Sequence, residues 1–315
     1  CFDHVSASES IQARIGNRYF DTIESAIIAT SSDDVIVLTN NVVLEKSLNI
    51  NKTVNIDLNN HNIEAKEKVF IIQGGSLKLT GNGIVSESMP NYGAIMLLGS
   101  NDLSKTEFST VSVGSGITLK GWSGIFVNHL NNTAYGININ MDGTIEAVND
   151  INGGTGVGIY VNGNIKNDDN CPIINLSKSA KIISSGNGIY SAGCSSYNIN
   201  GSYINGVESA IAIKSGSFNI LDGTFIGRGP DKTPTGENNN GINASGSSIQ
   251  IESNSNYNGN ININIKGGSF ISKNSSVIYE YTSKNSLTSV NSFNIDGGNF
   301  NSESGNDVFS LSDSF

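Results

Sequence analysis

A short phrase recurs along the second half of this chain: an apolar residue, Asn, an apolar residue, a Gly/Ser turn, then another apolar residue. It reads Ile174-Asn175-Leu176 to Ile182, Tyr197-Asn198-Ile199 to Tyr203, and Phe218-Asn219-Ile220 to Phe225. It returns as Ile263-Asn264-Ile265 to Phe270 and Phe293-Asn294-Ile295 to Phe300. A second apolar beat follows each copy, at Ile189, Ile211, Ile242, Ile278 and Phe309. The closest copies lie 21 to 23 residues apart, and longer gaps read as whole coils carrying inserted loops. Repetition at this period means a solenoid, in which each turn buries its apolar face only by stacking on the next.

Within each phrase apolar and polar residues alternate, the period of a strand with one face buried. Gly, Asn and Ser are abundant between the phrases, so short strands joined by tight turns, three per coil, predict an all-β fold. That fold is a parallel β-helix. A leucine-rich repeat is the weaker alternative, since its Leu-x-x-Leu-x-Leu spacing is missing. Earlier coils follow the template less regularly, at Ile56-Asp57-Leu58 to Ile63, Leu77-Lys78-Leu79 to Ile84 and Ile139-Asn140-Met141 to Ile145. About ten coils at roughly 4.8 Å each make a rod about 50 Å long.

The N-terminal segment predicts how the rod begins. Asp21-Thr22-Ile23-Glu24 matches a capping box with Asp21 as the cap, and Phe20, Ile23 and Ile27 share one helical face. Such a helix would cover the open edge of the first coil. Asp33-Asp34 should end it, with the first strand starting at Val35-Ile36-Val37-Leu38.

Residues 15 to 63 carry a resemblance. They run Ile-Gly-Asn-Arg-Tyr-Phe, Thr22-Ile23-Glu24-Ser25-Ala26-Ile27, Asp34-Val35-Ile36-Val37-Leu38, Leu48-Asn49-Ile50-Asn51-Lys52 and Val54-Asn55-Ile56-Asp57-Leu58-Asn59-Asn60-His61. This opening resembles secreted right-handed parallel β-helix proteins of bacterial cell surfaces, within the pectate-lyase-like superfold. The resemblance implies an extracellular β-helix with a helical cap. It carries over no single activity, because the fold hosts lyases, hydrolases, adhesins and structural proteins alike.

Composition narrows the partners. A solenoid of 315 residues grows as one unit, so one domain over 1–315 is expected, with a flexible arm at 1–14, a cap at 15–34 and coils from 35. A net charge of -10 and a pI near 4.7 argue against nucleic acid, whose phosphates need a basic footprint. They argue equally against an anionic membrane surface, and no apolar run approaches the roughly 20 residues of a transmembrane span.

Each cysteine has its own reading. Cys171 and Cys194 are one coil apart, so their Cα atoms would lie roughly 4.8 Å apart, within disulfide range. Two buried thiols are the alternative. Cys1, followed by a polar stretch from Ser6 to Ser10, looks like the lipid-bearing residue of a processed bacterial lipoprotein. An intermolecular disulfide is its second reading, and a mere boundary of the given sequence its third.

Chemistry is sparse. The Arg-x-Pro-x-x-Arg signature of pectate lyases is missing, and the chain has only Arg14, Arg18 and Arg228. Of the hydrolase motifs of this superfold only a bare Asp-Asp remains, at Asp33-Asp34 and Asp168-Asp169; neighbouring residues on a strand point to opposite faces. Asp142, Asp222 and Asp296 precede turn glycines, where Asp is favoured for backbone reasons, although a carboxylate column could hold calcium. His4, His61 and His129 show no metal spacing. No catalytic residue, metal or cofactor is therefore assigned.

The repeated Asn is the strongest polar signal. Asn175, Asn198, Asn219, Asn264 and Asn294 sit between inward apolar residues and should point outward in register. Stacked amides would hydrogen-bond along the rod. The functional reading is a stripe for sugar hydroxyls, with Trp122, Tyr160, Tyr190 and Tyr279 as candidate platforms. Sequons at Asn51, Asn131, Asn175, Asn200, Asn243 and Asn274 are what chance gives in a chain this rich in Asn and Ser.

Past the last phrase, Val308, Phe309, Leu311 and Phe315 are followed by no cap. Head-to-tail stacking through them would cover that end and propagate a filament. The sequence thus points to a non-catalytic extracellular surface protein, structural or adhesive, with self-association or a glycan as partner. The runner-up is a polysaccharide lyase or glycoside hydrolase with its site near Arg228, Asp231 and Lys232.

Overall fold

A computed structural model describes residues 11–128, 134–148, 155–162, 169–231, 245–252, 259–281 and 288–311. Cys1, His4, His129, Asp168, Lys232, Ile242 and Phe315, with the sequons at Asn131 and Asn243, lie outside the described residues. The chain is nearly all β, wound as a solenoid whose coils lay strands onto three parallel faces.

Register follows from the alternation. On the first face the inward column runs Val54, Leu77, Val111, Ile139, Ile174, Tyr197, Phe218, Ile263 and Phe293. On the second it runs Ile63, Val85, Leu119, Ile145, Ile182, Ile204, Phe225, Phe270 and Phe300. The third is a ten-stranded sheet whose inward column includes Ile125, Ile159, Ile189, Ile211, Ile249, Ile278 and Phe309. All these pairings are parallel, and one continuous apolar core runs from Ala13 to Ile278.

Two expected beats fall on a neighbouring residue, one phrase is displaced by two, and Ile249 rather than Ile242 supplies the third-face beat between Ile211 and Ile278. Val85 is buried where Ile84 was expected, and Ile84 is 37% exposed. Ile204 takes the inward place of Tyr203, whose hydroxyl accepts from Asn205 instead. In the second coil the in-register phrase is Val54-Asn55-Ile56, two residues before Ile56-Asp57-Leu58. Asp57 turns the chain there, accepting from the Asn59 amide.

Aromatic residues fill the wider coils by stacking on themselves. Tyr197 and Phe218 lie 4.3 Å apart, Phe225 and Phe270 4.8 Å, and Phe270 and Phe300 4.9 Å, all near parallel. At one corner the opposite demand holds. A Cβ on Gly188 would lie 2.4 Å from Ile204 Cγ2, so the third face must give up a side chain where the second pushes one in.

The cap is more than a helix. β1 (Ala13–Ile15) and β2 (Arg18–Phe20) form an antiparallel hairpin around Gly16-Asn17, and β1 pairs antiparallel with β3 (Ile36–Leu38). Gly16 has φ 56°, as a II′ turn requires at its first loop position. The hairpin, not the helix, therefore covers the backbone edge of the first face. Residues 13 and 14 are strand rather than arm.

α1 (Ile23–Ala29) buries Ile23, Ala26 and Ile27. Its N-cap is Thr22, one residue later than the capping box at Asp21 implied. Thr22 Oγ1 accepts from the Ser25 amide, and the Ser25 hydroxyl donates back to the Thr22 carbonyl. Gln12 accepts from the Ile23 amide at one end, and Lys52 Nζ donates to the Ile28 and Thr30 carbonyls at the other. Beyond the helix Asp34 closes a turn on Ser31, whose amide and hydroxyl hold its carboxyl below the usual range.

Candidate functional site

The outward column of the first face reads Asn55, Lys78, Ser112, Asn140, Asn175, Asn198, Asn219, Asn264, Asn294. Asn175 Nδ2 donates to Asn140 Oδ1 at 2.9 Å, and Asn198 Nδ2 to Asn175 Oδ1 at 2.9 Å. Asn140 donates on to Ser112 Oγ, and Asn264 to Asn219 Oδ1 at 3.2 Å. Every bond runs from the later coil to the earlier one. Asn140 belongs to this ladder although the phrase around it is less regular. Among the described residues, Asn264 and Asn294 share a register but no side-chain hydrogen bond, and neither do Asn198 and Asn219, where the ladder is interrupted midway.

A groove of about 400 Å³ opens beside that interruption. Asp169, Ser196, Asn198, Ser217, Asn260 and Asn262 supply its polar lining. A second polar column runs through it: Asn262 Nδ2 donates to Ser217 Oγ at 3.2 Å, and Ser292 donates to Asn262 Oδ1 at 3.0 Å. Cys171 forms part of the rim and is bonded to Cys194, with Cα atoms 5.4 Å apart. Asp169 is the one carboxylate, and no Lys or Arg lines the groove among the described residues. Such a lining can donate to and accept from hydroxyls and amides. Among the described residues it sets no cationic side chain against an anionic polymer.

The residues proposed for acid/base or metal chemistry do not converge. Arg228 donates to Asn205 Oδ1 and to the Ser184 carbonyl, holding coils together on the second face. Asp231 accepts from Ser275 in a separate hollow lined by Tyr279 and Asp307. Asp142, Asp222 and Asp296 stand on rungs separated by Ser177 and Lys266, so they make no continuous column. Asp222 accepts from its own turn glycine. His61 sits in a turn, its amide donating to the Leu58 carbonyl.

Three of the four candidate aromatic platforms are spent on one another. Tyr160 stacks between Phe126 at 5.0 Å and Tyr190 at 4.9 Å, and Trp122 tilts over it at 5.7 Å. Tyr279 stands two rungs beyond Ala212, outside that stack.

A buried carboxyl beside a hollow escaped the sequence reading. Glu87 is 4% exposed at a corner, above a hollow of about 450 Å³ lined by Glu64, Ser86, Lys120 and Val148. Burial pushes its carboxyl up to about 7, against the lowering pull of the Trp122, Met89 and Ser123 amides and of Lys68. Nothing in the local sequence distinguishes this Glu from a solvated one. Its burial is set by Gly121 of the next coil, where a Cβ would collide with Glu87 Oε1.

No helix among the described residues is long and apolar enough to cross a membrane. No family model, curated protein or solved structure matches the chain. Function is therefore argued from side chains and their placement.

Proposed function

We propose that this chain is a non-catalytic, adhesive β-helix of the bacterial cell surface that binds a neutral glycan along its amide face. The observation that carries the reading is the groove at the ladder's interruption, lined by Asn, Ser and one Asp. Hydroxyl and amide partners suit that lining, and the net charge of -10 disfavours polyuronates. The winding is right-handed, with about ten coils, as parallel crossovers overwhelmingly are. An extracellular setting accords with the Cys171–Cys194 bond, since such links persist in oxidising compartments.

Adhesion stands ahead of filament formation for a structural reason. The first-face edge of the N-terminal coil already carries β1 and β2. A partner's terminal coil, with Phe309 and Leu311 exposed and Val308 packed on the core, would meet that hairpin instead of an open rung. Hydrolysis is the second reading, favoured by a carboxyl near pKa 7 beside a hollow. Both Glu87 oxygens, however, already accept main-chain bonds, from Trp122 and Met89.

The test is titration of the whole chain with neutral, amino and uronic oligosaccharides, followed by calorimetry. Binding of a neutral or N-acetylated sugar, weakened about tenfold or more in Asn198→Ala/Asn262→Ala, supports the reading. Tight binding of uronates alone, or release of reducing ends abolished by Glu87→Gln, overturns it.

A further inference from the structure

Lys214 and Glu252 form a contact that the glycan reading does not use. Lys214 follows the strand Ser209–Ile213, and Glu252 ends the strand Ile249–Glu252, on adjacent rungs of the third face. The Lys214 ammonium lies 2.6 Å from Glu252 Oε2, with side-chain exposures of 0% and 1%. Tyr190, itself buried, places its ring 5.9 Å from Nζ, and Ala212 and Gln250 beside the pair are 2% exposed. The Lys214 amide is fixed to the Ser191 carbonyl at 2.7 Å.

Burying two full charges is expensive, and a buried ion pair rarely returns more than a well-packed apolar pair would. Moving one proton from Nζ to the carboxylate removes both charges, leaving an amine against a carboxylic acid. Those are the two partners of amide formation, held by parallel strands at a distance where the entropic cost of encounter is already met.

We propose that Lys214 and Glu252 condense to an intramolecular amide cross-link. The Nζ lone pair attacks Glu252 Cδ, forming the C–N bond and a tetrahedral intermediate. A proton passes from nitrogen to a departing oxygen, the C–O bond breaks, and one water molecule leaves. No oxidant, metal or co-reactant is required, and atoms and charge balance. The product closes a covalent loop between residues 38 apart. It ties the two rungs that flank the long connection between residues 213 and 249. A surface protein under pulling load would gain a tie that reductant cannot open.

The decisive measurement is the intact mass of the reduced full chain, with peptide mapping. The expected result is a mass one water below that of the sequence, with the Lys214 and Glu252 peptides recovered joined. In Lys214→Arg, which keeps the charge but cannot form this amide, the deficit disappears. Full sequence mass and two separate peptides overturn the proposal. A deficit of one ammonia, with Lys214 joined to a peptide lacking Glu252, overturns the assigned partner. If Lys214→Arg fails to fold, the mass and map of the unaltered chain decide alone.

Discussion

Glu87 Oε1 accepts a hydrogen bond from the Trp122 amide of the next coil at 2.5 Å, while Oε2 accepts from Met89 at 2.7 Å. One side chain thus pins a corner between successive turns of the rod. It does so from a buried position at the edge of a hollow, and burial prevails over the hydrogen bonds in setting its titration. Its folded pKa, pushed up to about 7, lies above the usual 4.5 of a glutamate, so the folded chain binds the proton more tightly. The associated stability is fully present below about pH 4.5 and is lost as pH rises through about 7. At about 1.4 kcal/mol per unit, the fall amounts to at most about 3 kcal/mol, reduced by the solvent that reaches the adjoining hollow. Urea unfolding of the wild type from pH 4.5 to 8 should show that decline, and Glu87→Gln should flatten it. A wild-type profile with no Glu87-dependent slope would count against the buried carboxyl.

The corner glycines make a second prediction. Gly188 faces Ile204 Cγ2 at 2.4 Å and the Ala210 carbonyl at 2.6 Å, measured from the Cβ it lacks. Alanine there must displace a core isoleucine or a strand, and overpacking of this kind costs about 1–3 kcal/mol. Gly188→Ala should lower the unfolding midpoint by that amount. The paired change Gly188→Ala/Ile204→Leu, which removes the β-branch methyl that stands in the way, should recover part of it.

The Cys171–Cys194 bond links positions 23 residues apart and forms part of the groove's rim. Closing a loop of that length restricts the unfolded chain by about 3 kcal/mol. Cys171→Ser/Cys194→Ser should lose stability of that order, and reductant should affect the wild type but not the variant. If the groove binds sugar, the same variant should bind more weakly, because Ser195 and Ser196 are anchored beside Cys194.

How far these features could be read beforehand depended on whether they were periodic. The apolar–Asn–apolar phrase recurs at the coil length, so the parallel faces and the outward amides follow from it. Single-residue slips fell where two apolar residues adjoin, as in Ile84-Val85 and Tyr203-Ile204, because either could take the inward place. Pairing with Ile63 and Leu119 selects Val85, and pairing with Ile182 selects Ile204. The hairpin at Gly16-Asn17 carried a recognised two-residue turn signal that the stronger helical pattern after it obscured. The groove had no such trace, since Asn262 reaches Ser217 across an insertion, 45 residues along the chain. Glu87 was equally hidden, because its burial depends on Gly121 and Trp122 of another coil.

Two asparagines on the first face should respond to substitution with opposite signs. Asn175 both donates to Asn140 and accepts from Asn198, so Asn175→Ala breaks two rungs of the ladder and deprives both neighbours of a partner. Each such bond contributes about 1 kcal/mol net, giving an expected loss of about 1–2 kcal/mol on this partly exposed surface. Asn138 lies in the neighbouring column against Ile173, and its buried Oδ1 has no hydrogen-bond partner among the described residues. An unsatisfied acceptor costs about 1–3 kcal/mol. Asn138→Val removes it and adds a β-branched residue that suits a strand beside isoleucine. Denaturant midpoints should therefore fall for Asn175→Ala and rise for Asn138→Val. Equal losses in both would mean that the amides act only as generic polar cover, and that hydrogen bonding along the rod adds nothing to its stability.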